Sequence, residues 1–204
     1  MTATVGIIGA GTAGQQIARY LLGSGHGVIL SNSKGPDALS GLIAELGPAA
    51  RAATANEAAG ADIVVLAVPW STVESVLAAV PAWDGRILID ATNAIRAYNP
   101  PVIELYDFGD ETSSEVVARL APGARVVKAF NTRSYPLPAV PADAPGEKNV
   151  FFYCGDDADA KDQVRGILDG IGLAPLDLGT LAAGSRMQQV GAPLAGVSLR
   201  LAHD

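Results

Sequence analysis

Gly9, Gly11 and Gly14 stand in G-x-G-x-x-G spacing within "GAGTAG", directly after the apolar run "TVGIIG". Between a strand and a helix, that spacing suits a bound pyrophosphate. The first glycine permits a tight turn, the second lets an anion approach the backbone, and the third lets helix pack on strand. Unpaired amides at the helix start then face the anion. A second stretch, "VILSNSKGP" at residues 28–36, ends the next strand with Ser31, Asn32, Ser33 and Lys34. A carboxylate there would accept from two ribose hydroxyls and repel a phosphate. Hydroxyl and amide donors beside one ammonium do the reverse, so the pattern predicts NADP(H), with its 2′-phosphate, over NAD. Asp37 lies beyond Gly35-Pro36 and is expected to serve the first turn of the following helix.

Three further strand ends carry candidate chemistry. "AVPW" offers Ala67, Val68, Pro69 and Trp70; "DATN" offers Asp90, Thr92 and Asn93; "KAFNT" offers Lys128, Ala129, Phe130, Asn131 and Thr132. In an open α/β sheet, ligands lie beyond the carboxyl ends of the strands, at the switch point. Each residue also has a plain structural use. Pro69 ends a strand, Trp70 packs, Asp90 holds loop amides, and Lys128 either snorkels at the sheet edge or points at an anion. Reducing an isolated carbonyl or imine needs a positioned proton donor. His26 belongs to the turn before the second strand and His203 to the terminus. Lys128 and Tyr135 are then the candidate catalytic donors, and neither lies in a recognisable acid motif. Hydride transfer between two stacked heterocycles asks instead for proximity, face selection and exclusion of water. The sequence favours that kind of acceptor. Reduction of a small imine or carbonyl compound and non-catalytic NADPH sensing are the alternatives.

The elements that must position these residues alternate. "TVGIIG" reads as a strand, residues 13–22 as a helix with Ala13, Ile17, Ala18, Leu21 and Leu22 on one face, and "HGVILS" as a second strand. A helix follows over residues 37–46, stopped by Gly47-Pro48. "ADIVVLAV" is apolar throughout, as a strand buried on both faces should be. Ser71 with Glu74, and Thr112 with Glu115, have capping-box spacing before helices. "GRILID" and "ARVVKAFN" read as further strands. Such alternation predicts an α/β Rossmann-type fold, a doubly wound parallel sheet with a small C-terminal α/β extension. Residues 1–132 are expected to form the NADP-binding domain, and 133–148, with four prolines in sixteen residues, a connecting loop. Residues 149–204 would form the C-terminal portion: a strand, a helix over about 157–171, the short strand "APLDL", and helical residues to the end.

Composition bounds the partners. The 204 residues carry 21 acidic and 14 basic side chains, a net charge of −7, which argues against nucleic acid. No apolar run reaches the roughly 18 residues of a membrane helix. The N-terminus lacks signal-peptide architecture, so a cytoplasmic address is expected. Cys154, the single cysteine, lies in the apolar run "VFFYCG" and is expected to be a buried structural thiol; with only two histidines, no metal site is expected.

"IGAGTAG", "SNSKGP", "AVPW", "DATN", "KAFN", "CGDD" and "DLGTL" occur in this order. In that order, over nearly the whole chain, the sequence resembles the 8-hydroxy-5-deazaflavin:NADP oxidoreductases, the NADPH-dependent coenzyme F420 reductases. It is also similar to the NADPH-binding module of membrane metalloreductases and, more distantly, to the N-terminal domain of pyrroline-5-carboxylate reductases. The resemblance implies hydride transfer between NADPH and coenzyme F420, a deazaflavin, or a flavin as small-molecule acceptor, in a homodimer. It implies that Ala10, Gly11, Thr12 and Ala13 hug the pyrophosphate and that Asn32, Ser33 and Lys34 hold the 2′-phosphate. Val68 and Pro69 would flank the nicotinamide ribose, with Ala67, Val73 and Asn93 in the same cofactor set and the Ala129 backbone at the carboxamide. "GAPLAG" (191–196), with Pro193 and Leu194, would line the acceptor cleft beside Trp70, Phe130 and Asn131. Lys128, Arg133 and Arg186 are candidates for a cationic strip facing an anionic acceptor tail.

Overall fold

The computed structural model describes residues 3–133 and 147–201, so Tyr135, His203 and nearly all of the proline-rich loop lie outside the described residues. The first half of the chain alternates as β1 (Thr4–Ile8), α1 (Thr12–Gly23), β2 (Gly27–Ser31), α2 (Ser40–Leu46), β3 (Ala50–Ala52), α3 (Ala55–Ala59), β4 (Ile63–Leu66), α4 (Val73–Ala79) and β5 (Ile87–Asp90). A hairpin of β6 (Ile95–Asn99) and β7 (Val102–Leu105) follows, then α5 (Ser113–Leu120) and β8 (Arg125–Ala129). The C-terminal part adds β9 (Lys148–Gly155), α6 (Ala158–Gly170), β10 (Ala174–Asp177), α7 (Leu181–Gln188) and β11 (Arg200–Leu201).

The main sheet runs β10-β9-β8-β5-β4-β1-β2-β3, with β11 paired to the start of β9. The neighbours from β3 through to β8 are parallel; β9 joins β8 antiparallel, and β10 then lies parallel to β9. The C-terminal strands therefore extend the same sheet. β4 and β5 are buried at every position because helices cover both faces. One face packs Ile17, Ala18 and Leu21 of α1 and Val164, Ile167 and Leu168 of α6. The other packs Ala58 of α3, Leu77 of α4, Val117 of α5 and Leu181 of α7.

Several local expectations change. Residues 36–39 form a 3-10 turn before α2 begins at Ser40. Ser71 caps nothing: Trp70–Thr72 is also a 3-10 turn, opened by Pro69, and the α-helical ladder starts only at Val73. Thr112 and Glu115 do form a capping box, and so do Thr54 and Glu57, which sequence reading missed. After Gln188 the described residues turn and reach β11 rather than remaining helical. The hairpin was also missed. β7 is exposed at all four positions and shows no alternation, and in β6 only Ile95 and Ala97 are half-buried, too short a pattern to mark a strand. Among the described residues, no helix is long and apolar enough to cross a membrane.

Lys128 lies in β8, in register with Asp90 on one side and Cys154 on the other. Because β9 covers β8, Lys128 has no sheet edge to snorkel along. Its side chain is wholly buried; Nζ lies 3.1 Å from Asp90 Oδ2 and donates to the Thr92 carbonyl at 3.2 Å. Asp90, also wholly buried, accepts further from the Thr92 amide (2.9 Å), the Thr92 hydroxyl (2.6 Å) and the Ser114 hydroxyl (2.6 Å). Burial alone would raise the Asp90 carboxyl; the Lys128 ammonium and these hydrogen bonds outweigh it and hold the group below the usual aspartate range. The pair's contribution should be fully present above about pH 4, the unfolded value, and disappear as pH falls through the lower folded value. Asp90→Asn should cost about 3–5 kcal/mol by leaving a buried charge unpaired, whereas Asp90→Leu with Lys128→Met should recover most of it. Urea midpoints for the single and double variants at neutral pH check this.

Candidate functional site

The chain leaves β1 toward β2 and β3, and leaves β4 toward β5 and β8, so the loops after β1 and β4 diverge. Such a divergence opens a crevice at the carboxyl ends. A cleft of about 770 Å³ lies there, lined by Gly9 to Gly11, Ser31 to Lys34, and Ala67 to Pro69.

The three glycines separate by cause. Gly9 has φ +114°, and a Cβ on it would fall 2.2 Å from the Ala67 carbonyl oxygen. A Cβ on Gly14 would fall 1.9 Å from the Gly9 carbonyl oxygen. Both are demanded by the fold itself. Gly11 has ordinary extended backbone (φ −75°, ψ −173°), and a Cβ there would meet no protein atom within 4 Å. The protein gives no reason for its missing side chain; a ligand pressed against that backbone does. Gly11 is also the N-cap of α1, with no side-chain cap and no acid in the first turn. The first amides of α1 are thus left to an anion. This geometry fits a dinucleotide diphosphate.

At the other end of the cleft, Ser31 is used internally: its hydroxyl donates to the Ile7 carbonyl (3.2 Å) and its carbonyl accepts from Gly9 (3.1 Å). Asn32 Oδ1 accepts from the Lys34 amide at 3.0 Å, shaping the turn and leaving its NH2 as donor. Ser33 and Lys34 are exposed, and among the described residues Lys34 forms no ion pair. Asp37 does not line the cleft. Sequence reading missed Gln15, whose amide nitrogen pins the Ala10 carbonyl at 2.9 Å, and Thr72, Ser75 and Val76 of the opposite wall. Gln15 sits one helical turn after Gly11, a spacing that could have marked it.

The remaining predicted residues scatter. Thr12, Ala13 and Gly14 form the first turn of α1 and supply its unpaired amides, with Thr12 exposed and Ala13 half-buried, whereas Val73 and Ala129 are buried. Trp70 is 8% exposed and packs on Phe108 (5.1 Å between ring centroids) and Tyr106 (6.4 Å). Phe130 takes the left-handed conformation, φ +68°, with its ring buried against Phe151. That turn brings Asn131 back toward Asn93. Asn93 donates to the Asn131 carbonyl (3.0 Å), and the Asn131 amide reaches Asn93 Oδ1 (3.3 Å) and the Gln188 carbonyl (3.0 Å). Pro193 is exposed and Leu194 half-buried in a segment tied to Thr132 through the Gly196 amide (2.8 Å). The three cations proposed as a strip have separate work: Lys128 pairs with Asp90, Arg133 donates to the Val197 carbonyl (3.4 Å), and Arg186 to the Asp110 carbonyl. Cys154 is buried, which pushes its thiol up to about 11. Among the described residues, no cluster of His, Cys, Asp or Glu could hold a metal ion.

Comparison with known proteins agrees with this geometry. The profile of the family described as "NADP oxidoreductase coenzyme F420-dependent" matches residues 4–94. Metalloreductase STEAP3 of Rattus norvegicus is 31% identical over 188 residues, covering 91% of this chain and 36% of that protein. The chain spans about a third of the length of the curated relatives it matches. Among solved structures, hypothetical protein SMa0349 from Sinorhizobium meliloti superposes with a TM-score of 0.86 at 39% identity, over 100% of this chain and 97% of that one. A candidate F420-dependent NADP reductase from Arthrobacter sp. FB24 gives 0.76 at 28% identity, over 89% and 86%.

The glycine argument separates stability from binding. Gly14→Ala should lower stability by about 1–3 kcal/mol, as overpacking does. Gly11→Ala should leave stability within about 0.5 kcal/mol. It should nevertheless weaken dinucleotide binding at least as much as Lys34→Ala does. Thermal midpoints and calorimetric titration on the same samples check both halves.

Proposed function

We propose a hydride-transferring role for this chain, which belongs to the coenzyme F420-dependent NADP oxidoreductase family. We read it as an NADP-dependent oxidoreductase that exchanges a hydride between NADPH and a flat conjugated partner, a deazaflavin of the F420 type or a flavin. One observation carries the reading. The cleft with the open Gly11 backbone ends in Asn32, Ser33 and an ammonium, Lys34, without an ion-pair partner among the described residues. A carboxylate at that strand end would repel a 2′-phosphate; these donors attract it.

In this reading the α1 amides hold the pyrophosphate, and Val68 and Pro69 flank the nicotinamide ribose. Bound NADPH supplies the hydride. The chain's part is to orient and to exclude water, and the Ala67–Pro69 edge and the Asn93–Asn131 pair do so at the strand ends. The small imine or carbonyl reading called on Lys128 or Tyr135 as donor. Lys128 is committed to Asp90 and Thr92, which favours an acceptor that needs no strong acid.

Lys34→Ala with Ser33→Asp should weaken NADPH binding by about 1–3 kcal/mol, the worth of charge-assisted contacts, and NADH binding far less. Equal losses for both nucleotides would overturn the cofactor assignment. Mixing the protein with NADPH and a deazaflavin, and separately with riboflavin, should give absorbance changes of hydride exchange. No exchange with either, while NADPH demonstrably binds, would remove the proposed reaction.

A further inference from the structure

The hairpin of β6 and β7 begins directly after the residues that the family profile matches, and its base returns to the strand ends. The Tyr106 amide donates to the Ala94 carbonyl at 3.0 Å, which places Tyr106 beside the "DATN" segment that ends β5. The Tyr106 ring lies parallel to Phe108 (8° between planes, 6.2 Å between centroids) and tilted against Trp70, the neighbour of Pro69 in the cleft. Next to it, Leu105 Cδ1 comes within 4.0 Å of where a Cβ on Gly191 would stand, at the head of the "GAPLAG" segment. Leu105 and Tyr106 are thus bracketed by Trp70, Ala94 and Gly191, three chain segments that converge on the same end of the sheet. Both remain open to solvent, 43% and 36% exposed, whereas Trp70 behind them is nearly closed off.

An aromatic ring backed by two more aromatics, and left partly bare beyond the Pro69–Trp70 edge of the cleft, suits one class of ligand. We propose that Leu105 and Tyr106 form the platform on which the planar tricyclic ring of the hydride acceptor rests. This inference depends on the hydride-transfer reading for the position of the acceptor, not for the platform's affinity. Deazaflavins and flavins share the flat ring and its apolar faces, so both chemistries meet the platform in the same way. Tyr106 acts here as a binding residue through its ring; its hydroxyl plays no part.

The test is a binding titration. Protein carrying Trp83→Phe, so that Trp70 in ring contact with Tyr106 is the single tryptophan, is saturated with NADP+ and titrated with riboflavin, and separately with a deazaflavin, while tryptophan emission is followed. Tyr106→Ala should raise the acceptor's dissociation constant about tenfold, the scale of one lost stacking contact. Tyr106→Phe should stay within about twofold of wild type, since the ring is kept. Leu105→Gln, a second and independent variant, should weaken acceptor binding by about threefold or more through lost apolar area. Tyr98→Ser, near the turn of the same hairpin, should change nothing. NADP+ affinity should be the same in all four.

An unaltered acceptor constant in Tyr106→Ala would overturn the platform. Parallel loss of NADP+ affinity would do the same, by showing a structural defect. So would a change of sedimenting mass with acceptor affinity intact, which would assign the surface to a second copy of the chain. Binding of neither chromophore to wild type overturns it as well. A response to only one chromophore supports the platform and names its ligand. Tyr106-dependent binding without hydride exchange supports the platform while sinking the proposed reaction.

Discussion

Two opposite charges with no exposed surface, the Asp90 carboxylate and the Lys128 ammonium, hold the end of the sheet together. A single buried charge at that depth would be strongly destabilising, and a pair is tolerated only when the remaining hydrogen-bonding capacity is met. Thr92 and Ser114 meet it on the carboxylate, and the Thr92 carbonyl helps on the ammonium. The consequence is geometric. Adjacent strand ends that would otherwise fray are locked in register, and one layer further out the Asn93 and Asn131 amides close on one another. Asn131 in turn grips the end of α7. The path from the parallel half of the sheet to the C-terminal part therefore passes through this polar row.

The cleft solves a second electrostatic problem. A chain with a net charge of −7 is proposed to bind a ligand that is itself multiply anionic. The long-range field opposes that, but it is screened within about 8–10 Å at physiological salt. In the proposed reading local donors decide the outcome: the uncapped first turn of α1 at one end and the Asn32–Lys34 turn at the other. Net charge disfavours an extended polyanion that needs a broad basic face; it has little bearing on a compact anion cradled by backbone amides.

The hairpin shows the opposite balance. A two-stranded ribbon alone is marginally stable in water. Here its strands are largely exposed, while its base is pinned by the Tyr106–Ala94 hydrogen bond and the Trp70–Tyr106–Phe108 cluster. Trp70 is therefore committed to packing, with its ring held against those of Tyr106 and Phe108. The same division of labour appears at Phe130, whose buried ring and left-handed backbone exist to turn the chain toward Asn131.

Local rules made most of the parallel half of the fold legible. Apolar runs such as "ADIVVLAV", the glycine register after β1, and the Thr112–Glu115 capping box each depend on neighbours a few residues away, and each stands where its residues predict. The donors at Asn32, Ser33 and Lys34 were visible for the same reason. The hairpin was not, because β7 is bare on both sides and β6 alternates over Ile95 to Tyr98 alone, too short a stretch to detect. Nor could spacing reveal that Lys128 meets Asp90, 38 residues away, since only the order in which strands join a sheet brings those two together. Sequence alone determined which segments become the inner parallel strands and which turn leaves helix amides open, as both follow from backbone sterics and burial over short stretches. Tertiary structure alone decided that a lysine suited to catalysis spends its charge inside the sheet, and that Trp70 backs a ring it does not expose, because side-chain partners are chosen in space.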